Sequence, residues 1–202
     1  MKKILIALMT IIAIAGMPSV KAAKSDLPEK TDHEKVIVYL FRGHGCSHCA
    51  DFLKYFTKEY PDYEDYFEIV SYESWEDETN QKLMYAVKEK IGEEADGSVP
   101  FIVIGSDYHT SGFGTSTGKE IIEEALKAYQ DDNYKDLVKS VAKKEKIEGN
   151  SETLNEAASK EGIVTLDEDG NVKSGLSDGV VVGIIFGVII LGFGGLVFFS
   201  RK

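Results

Sequence analysis

The chain has 202 residues, 43% of them hydrophobic and 28% charged, with a formal net charge of −11. That length allows one domain or two, and the acid excess argues against nucleic acid or an anionic lipid surface as a partner. The averages conceal two apolar ends around a charged middle: the ends hold Lys2, Lys3, Lys21, Arg201 and Lys202 but no acids, so the middle is more acidic than the total.

Residues 1–22 have the pattern of a signal peptide. Lys2 and Lys3 form a basic start, Ile4 to Gly16 an apolar core, and Val20-Lys21-Ala22 a small-x-small cleavage pattern. The short core and the small residues after it favour cleavage over an uncleaved anchor. Residues 23–35 are a polar lead-in. Val36 to Phe41 is a continuous β-branched and apolar run, suited to a buried strand, and Arg42-Gly43-His44-Gly45 is a turn. Cys46 then stands at an expected helix start. Phe52, Leu53, Phe56 and Tyr60 share one helical face before Pro61 stops the helix. Phe67 to Tyr72 is the next expected strand. Asn80 to Ile91 carries Leu83, Met84, Val87 and Ile91 on one face and ends at Gly92.

Val99-Pro100 precedes Phe101 to Ile104, a further buried strand, and Gly105-Ser106-Asp107 turns into a short strand within Tyr108 to Phe113. From Gly118, apolar residues at helical spacing predict one long helix, or two with a break at Asp131-Asp132-Asn133. Residues 146–178 are rich in Glu, Ser, Gly, Asp and Asn, and are expected to be mostly a flexible polar stalk. The competing reading of that stretch is a small hairpin around Ile163-Val164-Thr165 and Asn171-Val172.

Residues 179–200 form an expected transmembrane helix: Val180 to Phe199 holds no charge, and about 20 apolar residues cross a bilayer. Arg201 and Lys202 then assign the 201–202 tail to the cytoplasm, leaving everything between the two apolar ends outside. An apolar helix ending in basic residues also resembles a cell-wall sorting tail. No LPxTG motif lies in the upstream Ser174 to Asp178, so a retained anchor is favoured. Within the span, Gly183-Ile184-Ile185-Phe186-Gly187 is a GxxxG pattern that allows helix pairing, though one common by chance in Gly-rich spans.

The chemistry concentrates in Cys46-Ser47-His48-Cys49, which holds both cysteines of the chain. A structural disulfide would close so short a loop that its entropic gain is small. A metal site would need His44 and His48 beside the two thiolates, with no second ligand pair in the sequence; none is expected, nor a cofactor. Redox chemistry has the firmer physical basis. Cys46 at a helix start meets unpaired N–H groups and the positive end of the helix dipole, which favour its thiolate. Cys49, one turn later, shares the face of Phe52, Leu53 and Phe56 and is expected to be the buried, resolving thiol. His48 is close enough to stabilise a Cys46 thiolate, which would make the disulfide more oxidising. His44 is read as a loop residue.

The strand from Val36 to Phe41, the Gly45-Cys46-Ser47-His48-Cys49 segment and the distant Val99-Pro100 together resemble the thioredoxin superfamily, over roughly Lys35 to Val141. The resemblance implies an α/β fold, with a thioredoxin-like central mixed sheet flanked by helices, in residues 36–145. It implies that Pro100 is cis beside Cys46 and that the Val99 backbone pairs with an extended substrate segment. Gly45 and Ser47-His48 stand where thioredoxins carry Trp and Gly-Pro; His48 is similar to oxidases and isomerases of disulfides, and Val99 to bacterial oxidases.

The expected activity is therefore a protein disulfide oxidoreductase on a single-pass anchor, leaning towards oxidase or isomerase. Cys46, Cys49 and His48 would be catalytic, and Val99 and Pro100 would bind substrate. Partners would be exported protein thiols and disulfides and an unidentified membrane electron-transfer partner. The sequence holds no Asn-x-Ser/Thr glycosylation site, which fits a bacterial cell envelope. Two alternatives stay open: a thiol reductase of the same fold, and a membrane-tethered binding module whose disulfide is structural.

Overall fold

The computed structural model describes residues 27–31 and 33–173. The expected signal peptide (1–22), membrane helix (179–200), its GxxxG pattern and the tail (201–202) lie outside the described residues. Among the described residues no helix is long and apolar enough to cross a membrane. Residues 27–31 group apart from those beyond 32 and form neither helix nor strand.

Beyond them the order is β1 (Val36–Arg42), α1 (Ser47–Glu59), a 3-10 turn (Tyr60–Asp62), β2 (Phe67–Glu73), α2 (Glu78–Ile91), β3 (Phe101–Ile104), β4 (Tyr108–Ser111), α3 (Thr115–Tyr129), α4 (Leu137–Glu145), β5 (Ser151–Thr153) and α5 (Leu154–Lys160). The strands form one mixed sheet in the order β4-β3-β1-β2-β5. β1 and β2 are parallel, from Val36↔Phe67 to Arg42↔Glu73, and α1 carries the chain between them. β3 runs antiparallel to β1, with Phe41 opposite Phe101, and returns as a hairpin with β4. The sheet is flanked by helices, so the expected α/β architecture is present.

Alternation along the central strands sorts the core into two faces. Tyr39, Phe41, Phe101 and Val103 pack with Leu83, Met84 and Val87 of α2 and Val138 and Val141 of α4. The alternate residues Val38, Leu40, Ile102 and Ile104 are equally buried, and α1, α3 and α5 lie against that side. This two-sided burial explains why β1 and β3 read as unbroken apolar runs. Each fully buried Leu, Ile or Phe stabilises the fold by roughly 1.5–3 kcal/mol.

The helix ends follow local chemistry. Asp77 caps α2 by accepting the Thr79 and Asn80 N–H groups at 2.8 and 2.9 Å. Gly92 ends it in the left-handed region, φ 81°. The region after Gly118 is two helices. Asp136 caps the second by accepting the Lys139 N–H at 2.8 Å, and its other oxygen takes the Tyr39 hydroxyl at 2.7 Å.

The stretch expected to be mostly a flexible stalk differs most. Ser151–Thr153 extends the sheet antiparallel to β2, and Leu154–Lys160 is helical. The reason is a local start signal backed by packing. The Thr153 side chain accepts the Glu156 N–H, the Glu156 carboxylate takes the Thr153 N–H, and Leu154, Ala157 and Ala158 are buried. Few large apolar residues suffice, because α5 docks on a preformed surface of α1 and β2. Beyond it the chain turns back through one isolated antiparallel bridge, Leu166 to Val172, rather than a hairpin of strands from Ile163: the Asp167 N–H donates to the Asn171 carbonyl at 2.9 Å, and the Lys173 N–H to the Thr165 carbonyl at 2.7 Å.

Candidate redox site

β1 delivers the chain to a tight turn. The Cys46 N–H donates to the Gly43 carbonyl at 3.2 Å, and Gly45 takes φ 74°, where a side chain is strained. Cys46 is the N-cap of α1, extended at φ −72°, ψ 117°, and its sulfur accepts the Cys49 N–H at 3.2 Å. The sulfur thus takes the place that a Ser or Asp oxygen takes at other helix starts, facing the positive end of the dipole. Cys46 and Cys49 form a disulfide with Cα atoms 5.2 Å apart. Cys46 is 9% exposed and Cys49 1%, so Cys46 is the cysteine nearer the surface. Cys49 lies on the α1 face that also buries Phe52, Leu53 and Phe56.

The second wall comes from the segment before β3. The Val99–Pro100 peptide bond is cis, and the Val99 carbonyl oxygen lies 3.9 Å from the Cys46 sulfur. Pro100 is buried and Val99 half-buried; the Pro100 carbonyl accepts the Gly112 N–H at 2.8 Å, which ties this corner to the end of β4. Cys46, Cys49, Val99 and Pro100, widely separated in sequence, therefore meet. His48 is exposed in the first turn of α1, between the cysteines. His44 is turned to a different partner: its Nδ1 lies 3.1 Å from Oε1 of Glu161.

Several supporting residues were not singled out from the sequence. Arg42, at the end of β1, is 1% exposed. Its Nη1 donates to Glu161 at 2.7 Å, its Nη2 to Glu152 at 2.6 Å and its Nε to Ser71 Oγ at 3.2 Å. Glu161 Oε2 also accepts the Gly45 N–H at 3.2 Å. Burial alone would raise the Glu152 carboxyl, but hydrogen bonds from Lys160 and Arg42 outweigh it and hold it below its usual range. Glu73 shows the same balance: burial raises it, and the N–H groups of Glu76, Trp75, His44 and Asp77 bring it down.

On the proline side, Lys88 is buried. It donates to Asp96 Oδ1 at 2.6 Å and to the carbonyls of Asp96 and Ser98 at 3.0 and 3.2 Å. Its ammonium sits 5.1 Å from the centre of the Phe101 ring. The hydrogen bond from Lys88, with others from Ser98, pushes the Asp96 carboxyl down to about 2. Trp75 spans the two loops. Its Nε1–H donates to the Gly97 carbonyl at 3.0 Å, and its ring lies on the bare backbone of Gly43, where a Cβ would overlap it. Half of Trp75 remains exposed.

The signal for α5 was present as Thr153-x-x-Glu156 with an apolar residue between, the S/T-x-x-E start pattern. Nothing local to Arg42 or Glu161 marks them, because their partners come from other elements. Compared with models of protein families, with curated proteins and with solved structures, the chain matches none.

Proposed function

We propose that the protein is a thioredoxin-like protein disulfide oxidoreductase, working outside the cytoplasm from a membrane anchor and leaning towards oxidation or isomerisation. One observation carries the reading: the sulfur of the more exposed cysteine caps a helix, 3.9 Å from the carbonyl that precedes a cis-proline, with the second cysteine buried behind it. The clefts beside Ile104 to Tyr108 and between α2 and α4 are not lined by either cysteine, and a polypeptide segment laid over the surface is the substrate that suits this reading. The half-buried Val99 backbone is the edge along which it would lie. The location rests on residues 1–22 and 179–200.

In the oxidising direction a substrate thiolate attacks the Cys46 sulfur. The Cys46–Cys49 bond breaks, and Cys49 leaves as a thiolate that takes up a proton. A second substrate thiolate then attacks the substrate sulfur of the mixed disulfide and releases Cys46 as a thiolate. The substrate loses two electrons and the protein gains them; a disulfide-bearing or quinone-linked membrane partner would take them back. His48 and the start of α1 favour the leaving Cys46 thiolate. Running backwards, the same steps reduce a substrate disulfide.

Cys46→Ser is expected to abolish thiol–disulfide exchange with a protein substrate, and Cys49→Ser to accumulate mixed disulfides that a reductant releases. Mass spectrometry of alkylated samples reads both. Wild-type turnover in the double variant would refute the activity and leave a structural disulfide.

A further inference from the structure

Glu161 follows α5, in the stretch that composition assigned to a stalk, yet it reaches the turn that presents Cys46. One oxygen is shared by Arg42 Nη1 at 2.7 Å and His44 Nδ1 at 3.1 Å, and the other takes the Gly45 N–H at 3.2 Å. Gly45 is one peptide unit from the sulfur-bearing residue. The Glu161 side chain is only 8% exposed and that of Arg42 1%, so this pair is shielded from solvent. We infer that Glu161 is a positioning residue for Cys46: it anchors the Gly43–Gly45 turn and balances the Arg42 charge behind that turn, holding the Cys46 thiolate less stable than the helix start alone would make it.

The physical case is a charge count within one cluster, buried at Arg42, Glu152 and Glu161 and open to solvent only at Lys160. Arg42 faces Glu152 and Glu161, and Glu152 also pairs with Lys160 at 2.6 Å. Two cations and two carboxylates balance. Without the Glu161 charge the cluster carries a net positive charge behind the turn. A negative group near Cys46 disfavours its thiolate and an unbalanced Arg42 favours it, so both changes act in the same direction. A lower Cys46 pKa stabilises the dithiol form and makes the disulfide more oxidising. On this basis the end of α5 belongs to the redox centre. The inference rests on the proposed exchange chemistry, but it is measured on the thiol itself.

The test uses the full chain, reduced, with two readouts: the rate of Cys46 alkylation by iodoacetamide against pH, and the equilibrium with glutathione. In the second, oxidised glutathione plus the protein dithiol gives the protein disulfide plus two reduced glutathiones. Glu161→Gln keeps the shape and removes the charge. Its alkylation below the wild-type thiol pKa is expected to be about two- to fourfold faster: a loss of roughly half to one pKa unit raises the thiolate fraction about three- to tenfold, and the lower nucleophilicity of the more acidic thiolate takes back part of the gain. Its glutathione equilibrium should move towards the dithiol. Glu161→Asp, which restores the charge, should return both close to wild type. Should Glu161→Gln fail to fold, Glu152→Gln removes charge from the far side of Arg42 and leaves the Gly45 contact, giving the same direction at smaller size. Wild-type alkylation and glutathione equilibrium in whichever of these charge-removing variants folds, even with a lowered melting temperature, would overturn the inference. Absent turnover on protein substrates by the wild type would instead defeat the oxidoreductase reading, leaving the thiol measurement standing.

Discussion

The disulfide is held between two loops that are buttressed in different ways. Behind Cys46 stands Arg42, 1% exposed, with carboxylates from β5 and from the residue after α5, more than a hundred positions along the chain. Behind Pro100 stands Lys88, also buried, but its carboxylate partner Asp96 is 45% exposed and only eight residues away. The first support is tertiary and dry; the second is nearly local, and water reaches one partner. A dry charge has no substitute when its partner goes, whereas a wet one is rehydrated. The turn that presents the sulfur thus depends on the integrity of the whole domain, while the proline corner is secured by its own neighbourhood.

The largest effect that would break this contrast is at Arg42. Arg42→Met keeps the stem but leaves Glu161 and Glu152 without their shared cation, and is expected to cost about 3–5 kcal/mol in urea denaturation. It should also release α5, seen as faster amide exchange from Leu154 to Lys160. A loss comparable to that of a surface substitution would mean the cluster is wetter than its burial indicates.

Lys88→Met, its counterpart, should cost less, about 1–3 kcal/mol. The Asp96 and Ser98 carbonyls lose a charged donor, while the methionine still packs on Phe101. The order of the two variants sharpens the contrast; equal losses would remove it.

The smallest effect is in acid. The Asp96 carboxyl is lowered from 3.8 to about 2 by folding. A group whose folded pKa is depressed adds stability that is full above its unfolded pKa and disappears as pH falls through the folded one. Wild-type stability should therefore decline between about pH 4 and pH 2, and Lys88→Met should lose the part of that decline that Lys88 contributes through Asp96, while the Ser98 hydrogen bonds keep the rest. Glu73 and Glu152, also depressed, keep their partners in that variant and cancel in the difference. Parallel denaturation midpoints against pH for the two proteins would show that Lys88 does not hold Asp96.

Legibility tracked the range of each interaction. The strands from Val36 and Phe101 were plain because two-sided burial leaves continuous apolar runs, and the strand from Phe67 because its buried residues alternate with more exposed ones. The helix after Cys46 was plain from its apolar face and Pro61. The stretch from Ser151 to Lys160 was not, because its stabilisation lies in docking: Leu154, Ala157 and Ala158 are a thin apolar stripe unless a surface is already waiting. Arg42 was hidden for a related reason. An arginine before Gly-His-Gly looks like a solvated turn residue until two distant carboxylates close on it.

By itself the amino-acid order determined the spacing of the two sulfurs, the helix that begins at the first of them and the alternation that buries the second. These depend on neighbours within a turn or two, where propensity and periodicity act. Folding in three dimensions alone decided that a carboxylate from beyond α5 would meet the Cys46 turn, and that Lys88 would grip the loop before Pro100. Such contacts pair charged side chains across elements, and a buried charge is stable only where the assembled fold brings its opposite.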